Sequence, residues 1–134
     1  MYYNCVWRNY SIGSFRRIFI PDTLRDCIDK YCETTQVKIT EIFDSAIYGL
    51  FTIWKEDSEK IREILRYNPP PKMKKRNYPI MVRFPIGADP VYNMVQLLES
   101  NATVRSTEDF IRRAISWYLR KEGFLEPIKI AKVR

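Results

Sequence analysis

The stretch Tyr-Pro-Ile-Met-Val-Arg-Phe-Pro, residues 78–85, alternates in polarity and size along most of its length. One face carries Ile80, Val82 and Phe84, and the other carries Met81 and Arg83. This period of two is typical of a β-strand that buries one face. Such a strand needs an apolar surface to pack against, and the rest of the sequence must supply it.

An earlier run, Ser-Phe-Arg-Arg-Ile-Phe-Ile-Pro at residues 14–21, has a similar pattern. Its inner face carries Ile18 and Ile20, and its outer face carries Arg17 and Phe19, with Phe15 as a further outer residue. The alternation is imperfect because Arg16 falls on the inner face. We therefore predict two strands that could pair with each other.

The segments that follow the two strands also repeat. Pro21, Asp22 and Ala46-Ile47 in the first half match Pro85, Asp89 and Ala114-Ile115 in the second. One short insertion, Ile86-Gly87-Ala88, accounts for most of the change in spacing and falls in a predicted loop, where insertions are tolerated. A duplicated unit is therefore predicted.

Each half contains signals for two helices. Asp22 and Asp89 are predicted N-caps, and Pro90 suits the first helical position. The first helices carry apolar stripes at Leu24, Ile28 and Tyr31 and at Val91, Val95 and Leu98. Polar turns are predicted at 34–36 and 100–103. The later second helix opens with a capping-box pattern at 106–109 and ends at Gly123.

The second helices carry broad apolar faces, which we predict to be core. These faces are Ile42, Phe43, Ala46, Ile47, Leu50 and Phe51 in the first half, and Phe110, Ile111, Ala114, Ile115, Tyr118 and Leu119 in the second. A further amphipathic stretch, 57–67, occurs only in the first half. The predicted organisation is a first unit at 14–67 with this extra helix, a Pro/Lys-rich linker at 68–77, a second unit at 78–123 and a tail at 124–134.

Composition narrows the possible functions. The 134 residues carry 23 Lys and Arg against 16 Asp and Glu, a formal charge of +7, which favours a polyanionic partner. There is no histidine, and Cys5, Cys27 and Cys32 form no CxxC pair, so neither a zinc site nor a disulfide framework is expected. We also found no nucleotide-binding or nucleophile motif. We expect no enzymatic activity, no cofactor, no metal and no evident small-molecule ligand.

No apolar run is long enough to span a membrane, and the first ten residues have no apolar core that resembles a signal peptide. We therefore expect no membrane association and a location inside the cell, where free thiols persist.

A strand ending in Pro, two helices and a second helix bearing Ala-Ile together resemble the ribbon-helix-helix family of DNA-binding regulators. The motifs run from Arg17 to Ile47 and from Val82 to Ile115. Tandem copies in one chain are similar to transcription regulators of archaeal viruses. The resemblance implies a mostly α fold with a short two-stranded antiparallel β-ribbon, built as a tandem ribbon-helix-helix pseudo-dimer. It also implies the cytoplasm of a prokaryotic cell, archaeal or virus-infected, and association with DNA there.

The resemblance implies that the ribbon enters the DNA major groove, where outer-face residues contact bases. Those residues are Arg17, Phe19, Met81 and Arg83. It also implies phosphate contacts at the N-termini of the second helices, from Lys38, Thr40, Arg105, Ser106 and Thr107. The cations of the linker, Lys72, Lys74, Lys75 and Arg76, are further candidates for phosphate contact.

The expected function is therefore a sequence-specific regulator of transcription that binds double-stranded DNA. Because the outer faces of the two strands differ, the DNA site need not be a palindrome. A single ribbon contacts few base pairs, so self-association along DNA is also expected, with 57–67 or the N-terminal segment as contact surfaces. A basic nucleoprotein or coat protein that packages DNA without sequence preference is the main alternative, and an antitoxin is another.

Overall fold

The alternating runs form two paired strands, and the amphipathic runs form helices packed against one face of them. The computed structural model describes residues 14–72, 77–85, 87 and 89–128. Within these ranges, five helices and a two-stranded sheet follow in the order β1 (Ser14–Pro21), α1 (Asp22–Thr35), α2 (Ile39–Glu56), α3 (Ser58–Arg66), β2 (Asn77–Phe84), α4 (Pro90–Ser100) and α5 (Thr107–Lys121). No helix in this part of the chain is both long and apolar enough to cross a membrane.

The two strands pair antiparallel within the same chain, and the pair is called the ribbon below. Arg17 lies opposite Met81 at its centre. The predicted inner face is confirmed, because Ile18, Ile20, Ile80, Val82 and Phe84 are all buried. β1 has the predicted limits, whereas β2 begins and ends one residue earlier than 78–85.

The predicted apolar stripes form one hydrophobic core beneath the ribbon. Leu24, Ile28 and Tyr31 of α1 and Val91, Val95 and Leu98 of α4 are all buried there. The apolar faces of α2 and α5 join them, and Phe84 of β2 contacts Phe110 of α5 edge to face, with ring centroids 6.4 Å apart. The ribbon therefore packs on residues from both halves of the chain.

Helices α2 and α5 approach closely at Gly49. Helix α2 continues through Gly49 without a break. A Cβ placed there would lie 3.4 Å from Cη2 of Trp117 on α5. This is an ordinary van der Waals distance, so the indole ring packs against α2 here without requiring glycine.

The helix starts agree with the predictions at two positions and disagree at a third. Asp89 accepts a hydrogen bond from the Val91 N–H, and Ser106 accepts one from the Asp109 N–H, so both are N-caps. The prediction for Asp22 was wrong, because it lies inside the first turn of α1 and Pro21 holds the cap position. β1 runs directly into α1 through Pro21, which leaves no residue free to act as a separate cap.

The capping-box prediction for α5 is only half correct. The carboxylate of Asp109 accepts a hydrogen bond from the Arg105 N–H at 2.9 Å, which is one residue before the expected donor. In α2, the Lys38 N–H donates to the Glu41 carboxylate at 3.2 Å. Carboxylates therefore bind backbone N–H groups at the start of both second helices.

The two turns between helices use left-handed backbone at residues other than glycine. Gln36 follows α1 with φ 62°, and Ala102 follows α4 with φ 64°. Thr34 and Thr35, predicted to lie in the first turn, instead complete the last turn of α1. At the end of α5, Gly123 has φ 83°, and the Phe124 N–H donates to the Leu119 carbonyl, so this predicted C-cap is confirmed.

We expect Gln36→Gly and Ala102→Gly each to raise the free energy of unfolding by about 0.5–1 kcal/mol. Left-handed backbone is sterically unfavourable for a residue with a Cβ, and removing the Cβ outweighs the greater freedom of glycine in the unfolded chain. Chemical denaturation measures the effect. Lys30→Gly, in the exposed interior of α1, is the control and should lose stability, because its backbone is helical. Loss of stability in both turn variants would contradict the prediction.

The start of the predicted linker is fixed to α5 by Arg120. Its guanidinium donates to the Asn68 side chain at 3.1 Å and to the Pro69 carbonyl at 2.8 Å. It also donates to the Glu126 carbonyl at 3.1 Å, in the segment that follows α5. Partial burial lowers the pKa of Arg120. One side chain therefore holds both the segment after α3 and the segment after α5.

We expect Arg120→Ala to lower the free energy of unfolding by about 2–4 kcal/mol, because three hydrogen bonds from a charged donor are lost together. Arg66→Ala, an exposed arginine at the end of α3, should change it by less than about 0.5 kcal/mol. Urea denaturation of both variants tests the difference. Equal stability of the two variants would show that the contacts of Arg120 are not needed to hold the segments.

Candidate nucleic-acid interface

The solvent-facing side of the ribbon, called the outer face below, alternates arginines with apolar side chains. The register forms three cross-strand pairs on it, Phe15 with Arg83, Arg17 with Met81, and Phe19 with Pro79. All six residues are exposed, and the three large apolar ones are exposed to 61% for Phe15, 44% for Phe19 and 53% for Met81. The period-two pattern of each strand requires this arrangement, since the inner residues enter the core.

The arginine at one end of the outer face has close neighbours. The guanidinium carbon of Arg83 lies 5.6 Å from the centre of the Phe15 ring, within the range of a cation–π interaction. Arg83 also faces Asp44 on α2, whose pKa its charge tends to lower. Burial of Asp44 outweighs this effect and, together with the nearby Glu41, raises the pKa of the carboxyl above its ordinary value.

A cleft of about 310 Å³ separates β2 from the first turns of α2. Its walls are mainly apolar, and Asp44, Thr40 and Arg83 supply the polar groups. The remaining lining residues are Phe15, Ile39, Phe43, Ile80, Met81 and Val82. The cleft therefore adjoins the outer face at its Phe15–Arg83 end.

Two arginines join β1 to α5 through an ion pair and a hydrogen bond. Arg16, on the inner face, pairs with Glu108 at 3.1 Å. Arg112 donates to the Phe19 carbonyl of β1 at 2.8 Å. The strand pattern predicts Arg16 on the inner face but indicates no partner for it. Glu108 is 92 residues away along the chain, and no local pattern relates two such positions.

The residues predicted to contact phosphates occupy different environments. Lys38, Thr40 and Arg105 are exposed near the N-termini of α2 and α5, and Lys72 is exposed in the linker. Ser106 is half-buried and already binds a backbone N–H, and Thr107 is buried, so the structure does not expose these two residues as it does the others. Lys74, Lys75 and Arg76 lie outside the described residues.

The outer face has two chemical properties that together restrict its partner. Exposed Phe and Met side chains grouped on one sheet surface favour a partner that removes them from water. The interleaved arginines offer planar sets of N–H donors that suit guanine edges and phosphates. A partner with both apolar and anionic groups along a groove would satisfy both.

Comparisons of the chain with protein-family models, with curated proteins and with solved structures found no match. The fold and the outer face define an α-helical protein that presents a two-stranded antiparallel ribbon to solvent. Its likeness to ribbon-helix-helix regulators remains a prediction from the sequence motifs.

We expect Asp44→Asn to raise the free energy of unfolding at pH 7. The pKa of Asp44 is raised in the folded protein, mainly by burial, so the folded state disfavours the charged form. Below the pKa of the unfolded side chain the carboxyl is protonated in both states, so the penalty is absent. It develops as the pH rises through the folded pKa.

Denaturation of wild type and Asp44→Asn at pH 7 and at about pH 3 tests this, because an unperturbed Asp titrates near pH 4. The gain in stability should shrink at the lower pH. Asp26→Asn, at an exposed position on α1, is the control and should change the free energy of unfolding by less than about 0.5 kcal/mol. An Asn variant that is less stable than wild type at pH 7 would show that attraction to Arg83 outweighs burial.

Proposed function

We propose that this chain binds double-stranded DNA in a sequence-specific way and regulates transcription, with the ribbon inserted in the major groove. The two halves would then form a tandem ribbon-helix-helix pseudo-dimer within one polypeptide. The observation that carries the proposal is the outer face, where arginines and exposed apolar side chains alternate on a ribbon formed within the chain.

The dimensions of the ribbon suit this groove. The major groove of B-DNA is about 12 Å wide and admits a two-stranded ribbon, whose strands lie about 4.8 Å apart. In that position only outer-face side chains meet the base edges. Arg17 and Arg83 would donate to guanine O6 and N7, and Phe19 and Met81 would contact thymine methyl groups. Phe15 would support Arg83 through the ring contact described above.

Phosphate contacts would come from the flanks of the ribbon. Lys38 and Arg105 are exposed near the N-termini of α2 and α5, where the positive end of the helix dipole favours anions. The formal charge of +7 for the whole chain would add a long-range attraction. Each neutralised phosphate contributes about −0.9 to the slope of log K against log salt concentration, so binding would weaken steeply with salt.

Two considerations support a regulatory role. The outer face is proposed to recognise DNA bases, and the sequence predicts no catalytic residue. A protein that selects a site through a few base contacts acts by occupying it. We therefore propose action at promoters in the cytoplasm of a prokaryotic cell. Self-association along DNA would extend the short site that one ribbon contacts.

We expect wild type to select a defined sequence from a pool of random duplexes, and the double variant Arg17→Ala/Arg83→Ala to lose that preference. Each good bidentate contact accounts for roughly 1–3 kcal/mol of discrimination between bases. Fluorescence anisotropy on selected and scrambled duplexes, at two salt concentrations, measures preference and general affinity separately.

Lys30→Ala/Lys55→Ala is the matched control, since it removes the same charge from exposed positions on α1 and α2. It should weaken binding to all duplexes slightly and keep the preference. If wild type bound every duplex equally, a basic nucleoprotein that coats DNA would replace the regulator as the proposed function.

A further inference from the structure

We infer that the ribbon recognises a non-palindromic DNA site of defined polarity, with a guanine contact at its Phe15–Arg83 end and an A·T contact at its Phe19–Pro79 end. This inference rests on the proposed function and specifies the DNA sequence class that the outer face would select. It follows from the register of the two strands together with the repeat in the sequence.

In a ribbon with twofold symmetry, the axis would relate outer-face residues in pairs, and the two members of each pair would be identical. The strand register shows which residues form these pairs. Matching Pro21 with Pro85 in the repeat makes Arg17 equivalent to Met81, and Arg17 also lies opposite Met81 in the ribbon. A twofold axis that relates the strands would therefore pass between these two residues. The same axis would exchange Phe19 with Arg83, and Phe15 with Pro79.

Two of these three exchanges, Phe19 with Arg83 and Arg17 with Met81, relate an apolar residue to a cationic one, and the third relates Phe15 to Pro79. Phe19 has no side-chain hydrogen-bond donor, whereas Arg83 has five N–H donors in a planar group. At the centre, Arg17 is cationic and Met81 is apolar. Two identical subunits would present the same residue at symmetry-related positions and match a palindrome, but no symmetry-related pair on this outer face carries the same residue.

The Phe15–Arg83 end is built to donate hydrogen bonds. The Phe15 ring lies 5.6 Å from the Arg83 guanidinium carbon, and Asp44 of α2 lines the same cleft as this arginine. An aromatic ring and a carboxylate beside an arginine limit its conformations, which favours a bidentate contact with guanine. We therefore assign the guanine contact to Arg83, whose guanidinium the Phe15 ring supports.

The Phe19–Pro79 end offers only apolar side chains to the groove. Arg112 holds the backbone there through its 2.8 Å hydrogen bond to the Phe19 carbonyl. An aromatic ring on a fixed backbone contacts the thymine methyl group and provides no donor for guanine. This end therefore favours A·T pairs.

The flanks of the ribbon also differ, which disfavours the reversed orientation on the same site. Glu108 stands at the start of α5 and pairs with Arg16, whereas its counterpart in the repeat, Thr40 on α2, is neutral and exposed. The two helix starts therefore differ at this position, although each carries a further carboxylate, Asp109 on α5 and Glu41 on α2. If the chain bound the same site in the reverse orientation, α2 and α5 would exchange places, and so would the outer-face residues that contact the bases.

The test is selection from random duplexes with wild type, Arg83→Ala and Phe19→Arg. Wild type should select an asymmetric site, and Arg83→Ala should lose only the guanine at one end. Phe19→Arg gives the ribbon an arginine at both ends, so its selected site should gain a G·C pair at the other end. The preference at the altered position should change by about 5- to 150-fold, as expected for one bidentate contact.

Leu97→Arg is the matched control, because Leu97 on α4 is a similarly exposed apolar residue, at 55%, and the substitution adds the same charge. It should leave the selected sequence unchanged. Circular dichroism confirms that each variant is folded.

A palindromic wild-type site would overturn this inference and leave the proposed function standing. An asymmetric site that Phe19→Arg does not change would overturn the assignment of the two ends. Binding of all duplexes without preference would overturn the proposed function, and this inference with it.

Discussion

The pairing of β1 with β2 is the constraint on which the rest of this structure depends. A two-stranded ribbon by itself is marginally stable in water, because it has one apolar face and nothing to cover it. Here Ile18, Ile20 and Phe84 are fully buried on that face, beneath helices from both halves of the chain. The strands lie more than 50 residues apart at their closest approach in sequence, so the ribbon can form only when both halves fold together.

Helix α5 contributes several side-chain hydrogen bonds that join the two halves of the chain. Arg112 binds the carbonyl of Phe19 in β1, Arg113 donates to the Leu65 carbonyl at the end of α3, and Arg120 holds the segment after it. The hydroxyls of Tyr118 and Tyr31 are hydrogen-bonded at 3.0 Å, which raises the pKa of Tyr31 to about 12. These arginines and this tyrosine combine apolar stems with polar ends, so they bind distant backbone groups while still covering the core.

The outer face follows directly from this burial. Because successive residues of a strand point to opposite sides, directing the isoleucines inward leaves Arg17, Phe19, Met81 and Arg83 outward. The surface proposed to contact DNA is thus a geometric consequence of the core. Its chemical asymmetry arises because one chain supplies both strands, so each could acquire different outward residues while keeping similar inward ones.

Strands, apolar stripes and most caps were predictable from the sequence, since each depends on residues within one or two turns or on a period of two. The prediction that Asp22 is an N-cap was wrong, because β1 runs directly into α1 at Pro21. The spacing of residues within a helix does not indicate where the preceding strand ends. The partners of Arg16 and Arg120, and the position of Asp44 beside Arg83, were not predictable.

The sequence alone determined which side chains face inward and outward, because that follows from local backbone geometry. The tertiary structure decided the register and the long-range ion pairs, because packing of the shared core sets the distance between groups that lie far apart along the chain.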